Sequence, residues 1–251
     1  MRVEGGGEGA FRTSAEQEAV RDYARVFANY PASIEKKLES FTKYVRQQNL
    51  TRFLARYEIF KQVLKVKGSV IECGVHRGFG VMAWAKLSSI LEPVNLTRRI
   101  YGFDTFAGFP SVSEKDQSKF SKVSAGDLHS SCYDELTELI RIYDSNRYLG
   151  HMKKVELIKG DATKTIPEFI DSNKHLVVSL LFLDFDLYEP TKVAIENFFP
   201  RMPKEAIIAF DELDNPIWPG ETLALLEAIG INRLRIKRVD FDPYIGYAII
   251  D

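Results

Sequence analysis

A glycine-rich stretch in the first third of the chain is its most informative segment. Residues 70–80 read VIECGVHRGFG, where an apolar run reaches the acidic Glu72 and glycines follow at positions 74, 78 and 80. Glycines are needed where the backbone approaches a ligand closely, or where a turn uses dihedral angles that side chains resist. The stretch therefore predicts a strand, a tight turn and a helix that begins near Val81. Ordinary strand-to-helix turns also use glycine, so the spacing alone identifies no ligand.

Composition limits the classes of protein to consider. The 251 residues are 45% hydrophobic, enough for a sizeable core, and favour one domain with an appendage. A formal net charge of -1 argues against a nucleic-acid or membrane partner. The longest apolar run, residues 176–185, is about half the length that a membrane span requires.

The cysteines and the first residues bear on the compartment. The two cysteines, Cys73 and Cys132, make neither a disulfide framework nor a thiolate metal site, which favours a reducing compartment. Residues 1–12 are polar and glycine-rich without the apolar centre of a signal peptide. We therefore expect a cytoplasmic protein.

Strand and helix patterns alternate after the glycine-rich stretch. Apolar runs at residues 99–103, 155–158, 176–183 and 206–210 are separated by helical patterns, which predicts a doubly wound, mostly parallel α/β sheet. Two further runs, residues 233–241 and 244–250, are separated only by Asp242-Pro243, so they must pair in antiparallel fashion. A seven-stranded sheet of this kind, Rossmann-like with a terminal antiparallel hairpin, is the arrangement of class I methyltransferases.

Two segments lie outside this alternation. Residues 14–66 show three helical patterns, and we predict an N-terminal helical extension over residues 1–50 before a catalytic domain over residues 51–251. The extension could form a homo-oligomer surface, cover a pocket or simply cover the sheet. Residues 111–130 are rich in Ser, Lys and Asp and predict a long flexible loop above the strand ends.

An acidic residue ends the second predicted strand. Residues 99–103 lead directly into Asp104. A carboxylate at the tip of the strand that follows a glycine turn can accept hydrogen bonds from both hydroxyls of a ribose. We therefore expect Asp104 to bind a ribose.

Four more acids follow two neighbouring strands, namely Asp184, Asp186, Asp211 and Glu212. Side chains two apart on a strand face the same side, so Asp184 and Asp186 share a face if the strand continues. Adjacent residues such as Asp211 and Glu212 face opposite sides unless the chain turns. Carboxylates this close either bind a cation, for which hard oxygen ligands favour Mg²⁺, or have raised pKa values. Acids at strand ends are also common without a metal.

Four ordered motifs resemble the macrocin O-methyltransferase (TylF) family. They read ECGVHRG (residues 72–78), YGFDTFAGFP (residues 101–110), LDFDLY (residues 183–188) and FDE (residues 210–212). The resemblance covers the chain from about Arg52 to its end. It implies O-methylation of a hydroxyl on a sugar, as a sugar nucleotide, a glycan or a glycosylated natural product, with S-adenosylmethionine and Mg²⁺.

The resemblance also implies roles for single residues. The general base would be Asp186, although it could instead only support the metal shell. The cofactor would lie against Glu72, Gly74, Val75, Gly78, Asp104, Thr105, Phe106, Asp161, Ala162 and Asp184. The metal would be held by Asp184, Asp211 and Glu212.

Other functions remain open on the sequence. The glycines and Asp104 would also suit a nicotinamide-dependent oxidoreductase, although the terminal hairpin and the acids do not favour one. A metal-independent small-molecule methyltransferase and a binding module without turnover are further alternatives. The acceptor is not identified by any motif.

Overall fold

A computed structural model describes residues 13–251 as helices packed on both faces of one sheet. The helices are α1 (Ser14–Asn29), α2 (Ile34–Glu39), α3 (Gln47–Val63), α4 (Phe79–Leu91), α5 (Tyr133–Ser145), α6 (Ala162–Ser172), α7 (Tyr188–Phe198) and α8 (Pro219–Ala228). The strands are β1 (Ser69–Cys73), β2 (Ile100–Asp104), β3 (Val155–Lys159), β4 (Val178–Leu183), β5 (Ile207–Phe210), β6 (Lys237–Arg238) and β7 (Gly246–Ile249).

The sheet has the order β3-β2-β1-β4-β5-β7-β6. Strands β1 to β5 pair in parallel, and β7 runs antiparallel to both β5 and β6. The predicted seven-stranded, mostly parallel α/β fold is therefore confirmed. The strand order reverses between β1 and β4, and ligands of open α/β sheets bind outside the carboxyl ends of the strands at such a point. The functional site is expected there.

Two apolar clusters cover the two faces of the sheet. On one face Phe60, Trp84 and Phe182 join α3 and α4 to the central strands, with the rings of Trp84 and Phe182 5.5 Å apart. The opposite face packs against α6, α7 and α8. Every residue of β4 is buried, because a central parallel strand is covered on both sides.

The terminal hairpin is shorter than the sequence pattern predicted. Strand β6 keeps only two residues of the predicted run 233–241, and the start of that run belongs to a 3₁₀ turn at Ile231–Arg233. The buried Asp242 closes the hairpin by accepting hydrogen bonds from the N–H groups of Tyr244 and Ile245, at 3.0 and 3.1 Å. This Asx turn limits the length over which the two strands can pair.

The N-terminal helices bury little within the chain. Helix α1 is capped by Thr13 and Glu16 and has no buried residue. The second predicted helix, residues 33–47, is divided into α2 and a 3₁₀ turn at Phe41–Lys43. Among the described residues, no helix combines the length and apolarity that crossing a bilayer demands. The division of the chain at residue 50 stays a prediction.

The loop over residues 111–130 has fixed contacts in the structure. Asp116 is buried and accepts hydrogen bonds from Ser113 and from the N–H of Tyr188, the latter at 2.6 Å. Val123 is buried with Trp218 in a small apolar cluster above the strand ends. The loop therefore covers the expected site, as predicted, and is anchored to the first residue of α7.

Candidate active site

The glycine turn after β1 is shaped by a neighbouring strand. Gly74 has a φ of 95°, and a Cβ atom built there would lie 1.9 Å from the carbonyl oxygen of Asp184. The glycine therefore permits the ends of β1 and β4 to approach each other. This contact, and not only a ligand, explains why residue 74 has no side chain.

Gly80 makes room for Glu72. A Cβ atom at Gly80 would lie 1.8 Å from Oε1 of Glu72, whose side chain is only 1% exposed. Oε2 of Glu72 is buried without a hydrogen-bond partner. Burial raises the pKa of Glu72 to about 8, although the charge of Arg56 acts in the opposite direction. One oxygen of this buried carboxyl group, Oε2, thus lacks a hydrogen-bond donor.

Asp104 organises the end of β2. Its Oδ2 accepts a hydrogen bond from the N–H of His76 at 2.7 Å, and its Oδ1 accepts one from Phe106 at 2.6 Å. A carboxylate oxygen can accept more than one hydrogen bond, so both remain able to accept bonds from ligand hydroxyls. Asp104 therefore joins the turns after β1 and β2.

A cleft of about 630 Å³ opens beside Asp104. Asp161 caps α6 by accepting hydrogen bonds from the N–H and the hydroxyl of Thr163, at 3.0 and 2.7 Å. Among the predicted cofactor residues, the cleft is lined by Gly74, Asp104, Thr105, Asp161, Ala162 and Asp184.

Three predicted cofactor residues have clear structural contacts. The Phe106 ring is buried against Tyr133, with ring centroids 5.1 Å apart, so only its N–H faces Asp104. The Thr105 hydroxyl donates to the carbonyl of Gly108 at 2.6 Å. Gly78 is the N-cap of α4, where a side chain would meet Leu136. The structure thus shows packing roles for the Phe106 ring and for Gly78, and the cofactor contacts predicted for both residues stay predictions.

A second cleft, of about 880 Å³, adjoins the first. The four acids predicted at the strand ends, Asp184, Asp186, Asp211 and Glu212, all line it, and Asp184 and Asp186 line both clefts. Glu72 and Val75 lie on its other side. The structure therefore brings together the predicted base, the predicted metal ligands and part of the predicted cofactor site.

Turns, not continued strands, bring these acids together. Strand β4 ends at Leu183, and Asp186 has a left-handed φ of 63°. The condition under which Asp184 and Asp186 would share a face, a strand that continues through both residues, is therefore not met. The chain also turns directly after β5, so Asp211 and Glu212 line one cleft although they are adjacent.

Two arginines from α3 enter this acidic cleft. Nη2 of Arg52 donates to both oxygens of Asp211, at 2.7 and 2.6 Å. Arg56, only 2% exposed, lies 4.5 Å from the ring centroid of Phe182 and 3.8 Å from Oδ2 of Asp184. The sequence did not lead us to predict either arginine as a site residue. The feature that could have identified them is a basic residue on the apolar, core-facing side of a helix.

The acids exceed the arginines in number, and this affects their protonation. Burial, with the nearby charges of Asp211 and Asp186, raises the pKa of Asp184 and raises that of Glu212 to about 10. Burial lowers the pKa of the Arg52 guanidinium, but the charges of Asp211 and Asp184 outweigh burial, so its pKa is raised. The cleft would therefore favour an additional cation.

Glu221 lies behind this cluster. Its side chain is fully buried at the start of α8. It accepts hydrogen bonds from the N–H groups of Asp186, at 3.3 Å, and Glu212, at 3.1 Å. Burial, with the charges of Asp186 and Asp211, raises the pKa of Glu221, and the two hydrogen bonds offset part of this effect.

Comparison with known proteins assigns the family. The family model for macrocin-O-methyltransferase (TylF) matches residues 40–244, which is well over half of the chain. The chain belongs to the TylF family. No curated protein sequence matches it.

Solved structures agree with the TylF assignment. The crystal structure of CalS11, a calicheamicin methyltransferase, superposes with a TM-score of 0.91 and is 31% identical, covering 95% of this chain and 93% of its own. An apo structure of CalS11, described as a TDP-rhamnose 3'-O-methyltransferase, superposes with a TM-score of 0.83 and is 30% identical, and the match covers 95% of each chain. The O-methyltransferase NovP superposes with a TM-score of 0.63 at 20% identity, and the match covers 80% of this chain and 79% of NovP. This similarity supports the fold alone. The TylF-family chain is thus an O-methyltransferase with the class I fold.

The TylF family also supports S-adenosylmethionine as the methyl donor. The unpartnered Oε2 of Glu72 fits a ligand with a positively charged donor group, and the methionine end of S-adenosylmethionine carries an ammonium. Asp104 beside the first cleft fits its ribose. The residues present are therefore suited to this donor.

The predicted Mg²⁺ is supported by donor chemistry but not by a formed site. Over residues 13–251, no three Asp, Glu, His or Cys side chains are placed to hold a metal ion. Asp211 uses both oxygens on Arg52, and Glu212 accepts a hydrogen bond from Asn215. The acids nevertheless suit a hard divalent cation, because burial and then the neighbouring carboxylates raise the pKa of Asp184 and Glu212, and a bound cation would offset both effects.

Proposed function

We propose that this chain methylates a sugar hydroxyl of a sugar nucleotide, using S-adenosylmethionine and Mg²⁺. The observation that carries the proposal is the shared edge of the two clefts, which Asp184 and Asp186 both line. An acceptor among the acids of the second cleft would lie directly beside a donor that extends from the first cleft towards Glu72 and Val75. CalS11, at 31% identity, is described as acting on TDP-rhamnose, which supports a sugar nucleotide as the acceptor.

The donor would be held by the turns after β1, β2 and β3. Glu72 would pair with the ammonium group, Gly74 and Val75 would lie along the methionine part, and Asp104 would accept hydrogen bonds from the ribose hydroxyls. Asp161 and Ala162 at the start of α6 would border the adenine. When bound, S-adenosylmethionine supplies an electrophilic methyl group.

Asp186 would act as the general base. Its side chain is 9% exposed and lines both clefts, so it is at the place where acceptor and donor would meet. A sugar hydroxyl keeps its proton at neutral pH and is a poor nucleophile until a base removes that proton. Asp186 would take the proton as the hydroxyl oxygen forms its bond to the methyl carbon and the carbon–sulfur bond of the donor breaks, which would leave S-adenosylhomocysteine.

The metal would be held by Asp184, Asp211 and Glu212. When bound, Mg²⁺ would make the hydroxyls of the acceptor more acidic. Arg52 would release Asp211, and ionised Asp184 and Glu212 would then lie beside a cation that offsets their repulsion. Orientation of the acceptor beside the donor would supply much of the remaining acceleration.

The base is tested by Asp186→Asn. We expect kcat to fall by about 10²-fold or more, because general bases typically contribute 10²–10⁴-fold, while the affinity for S-adenosylhomocysteine changes little. Asp171→Asn, at an exposed carboxylate of α6, is the control. Wild-type turnover in Asp186→Asn would remove this residue from the mechanism.

The metal is tested by exhaustive EDTA treatment followed by gel filtration. Methyl transfer should be lost and should return with added Mg²⁺. Full activity of the treated protein would end the metal proposal and leave a metal-independent methyltransferase.

The acceptor is tested by incubating the protein with S-adenosylmethionine and a panel of sugar nucleotides, and recording mass gains of one methylene. Methylation of a glycan or a glycosylated natural product, and of no sugar nucleotide, would overturn the sugar nucleotide as the proposed acceptor. A thermal-shift comparison checks the donor, because S-adenosylhomocysteine should stabilise the protein and NAD should not.

We also propose that α1 and α2 mediate homo-oligomerisation in the cytoplasm, where free cysteines persist. Val20, Tyr23 and Val26 recur on α1, which buries nothing within the chain. Val26→Asp should lower the mass measured by light scattering, whereas Ile90→Asp, at an exposed apolar residue of α4, should not. An unchanged mass in Val26→Asp would reject this interface.

A further inference from the structure

Glu221 connects the two turns that carry the proposed chemistry. Its Oε1 accepts the N–H of Asp186 at 3.3 Å, and its Oε2 accepts the N–H of Glu212 at 3.1 Å. One turn follows β4 and the other follows β5, which are neighbours in the sheet. The carboxylate is therefore a bridge between the proposed base and a proposed metal ligand.

The backbone at Asp186 needs such support. Its φ of 63° lies in the left-handed region, which residues with a side chain seldom adopt. The conformation persists only where the surroundings hold it. Glu221 holds the N–H at residue 186, and Asp116 holds the N–H at Tyr188, at 2.6 Å. The direction of the Asp186 side chain thus depends on two buried carboxylates.

The start of α8 is fitted closely to this turn. A Cβ atom at Gly220 would lie 2.5 Å from the N atom of Tyr188 and 2.6 Å from Oδ1 of Asp116. Glycine at position 220 lets α8 approach close enough for the next residue, Glu221, to reach both turns. The bridge therefore depends on a specific contact between α8 and the turn after β4.

We propose that Glu221 is a positioning residue for methyl transfer, which fixes Asp186 relative to the acceptor. The inference rests on the proposed function and assigns a role to a residue that lines neither cleft. Two N–H donors need two acceptor oxygens, which a carboxylate provides. A glutamine has one acceptor oxygen, and its NH₂ group would face the other N–H donor. Glu221→Gln would therefore break the bridge at nearly constant side-chain volume.

The kinetic test compares Glu221→Gln with the wild type. We expect kcat to fall about 10- to 100-fold, because a displacement of about 1 Å at a reacting group can cost 10²-fold, while the KM for S-adenosylmethionine stays within about twofold. Glu168→Gln, at an exposed carboxylate of α6, is the control. Wild-type kcat in Glu221→Gln, or equal losses of kcat and donor affinity, would overturn the proposal.

A structural readout keeps the test independent of the substrate. Crystals of Glu221→Gln with S-adenosylhomocysteine should show Asp186 outside the left-handed region, and an unchanged turn would overturn the positioning role even if no acceptor is found. If Glu221→Gln does not fold, Glu221→Asp keeps two acceptor oxygens one methylene further away. It should lower kcat about tenfold at wild-type donor affinity, and wild-type kcat would count against the proposal.

Discussion

Arg52 donates from one guanidinium nitrogen to both carboxylate oxygens of Asp211, at 2.7 and 2.6 Å. The two residues are far apart in sequence and meet because α3 packs over the carboxyl ends of β4 and β5. Asp211 is also one of the three proposed metal ligands. Arg52 is therefore positioned where it would compete with a divalent cation for the same oxygens.

Arg52→Met should raise the affinity for Mn²⁺, used as a paramagnetic substitute for Mg²⁺. A hydrogen bond to a charged group contributes about 1.5–3 kcal/mol, so loss of this competitor should tighten binding about tenfold. Electron paramagnetic resonance titration in the presence of S-adenosylhomocysteine measures the affinity for Mn²⁺. Arg25→Met, which removes an exposed pair with Asp22, should leave the affinity unchanged. Weaker Mn²⁺ binding in Arg52→Met would mean that the arginine supports the metal site.

Glu72 should make donor binding depend on pH. Its pKa is raised to about 8, so the free protein keeps the proton at neutral pH, while the ammonium group of S-adenosylhomocysteine requires the ionised form. Affinity should therefore fall by up to about tenfold for each pH unit between 8 and 6. Titration calorimetry measures this slope. Glu72→Gln should bind more weakly at pH 8 and show a flat profile, and an equally steep profile in that variant would assign the proton to another group.

The same raised pKa affects the stability of the ligand-free protein. The unfolded chain ionises Glu72 near its ordinary pKa of 4.5, whereas the folded chain does so only near 8. The contribution of this carboxyl to stability is complete below pH 4.5 and is lost as pH rises towards 8. The stability of Glu72→Gln relative to wild type should therefore increase from pH 5 to pH 8 in urea unfolding. A difference in unfolding free energy between Glu72→Gln and wild type that stays constant with pH would contradict the raised pKa of Glu72.

Gly80→Ala should weaken donor binding by displacing Glu72. Alanine normally favours a helix interior by about 1 kcal/mol over glycine, but here the added Cβ would lie 1.8 Å from Oε1 of Glu72. We expect lower affinity for S-adenosylhomocysteine and no gain in stability. In a Glu72→Ala background the clash is absent, so Gly80→Ala should then stabilise the protein. Equal effects in both backgrounds would show that the two residues do not interact.

The fold could be predicted because its determinants are local. The apolar run that becomes β4, the glycine turn before α4 and the short Asp242-Pro243 connector each define a neighbouring element. Acids directly after two adjacent strands also had to lie at one edge of the sheet. Fold class and the location of Asp184 and Asp211 therefore followed from the sequence.

The partners of these acids could not be predicted in the same way. Arg56 reaches Asp184 only because α3 docks on the sheet, and Glu221 reaches two turns only because α8 approaches through Gly220. The left-handed backbone at Asp186 likewise depends on contacts from outside its own turn. Such contacts join residues distant in sequence, and neither spacing nor composition reports them.

Gly74→Ala should destabilise the fold more than the conformation of residue 74 alone explains. Gly74 and Gly126 have similar φ values, 95° and 85°. A Cβ atom at Gly74 would lie 1.9 Å from the Asp184 carbonyl oxygen, whereas a Cβ atom at Gly126 would have no other residue's atoms within 4 Å. Gly126→Ala should therefore lose only the roughly 1–2 kcal/mol of a left-handed alanine. Gly74→Ala should lose at least about 2 kcal/mol more, because β1 and β4 must separate.

Urea unfolding of the two variants measures the difference directly, since the midpoint and slope give the free energy of unfolding for each. Gly74→Ala should also lose affinity for S-adenosylhomocysteine, because separation of β1 and β4 would move Asp184 at the edge shared by the two clefts. Gly126→Ala controls for backbone strain, as its position has open space. Equal losses of stability in the two variants would show that the close approach of Gly74 to Asp184 does not constrain the end of the sheet.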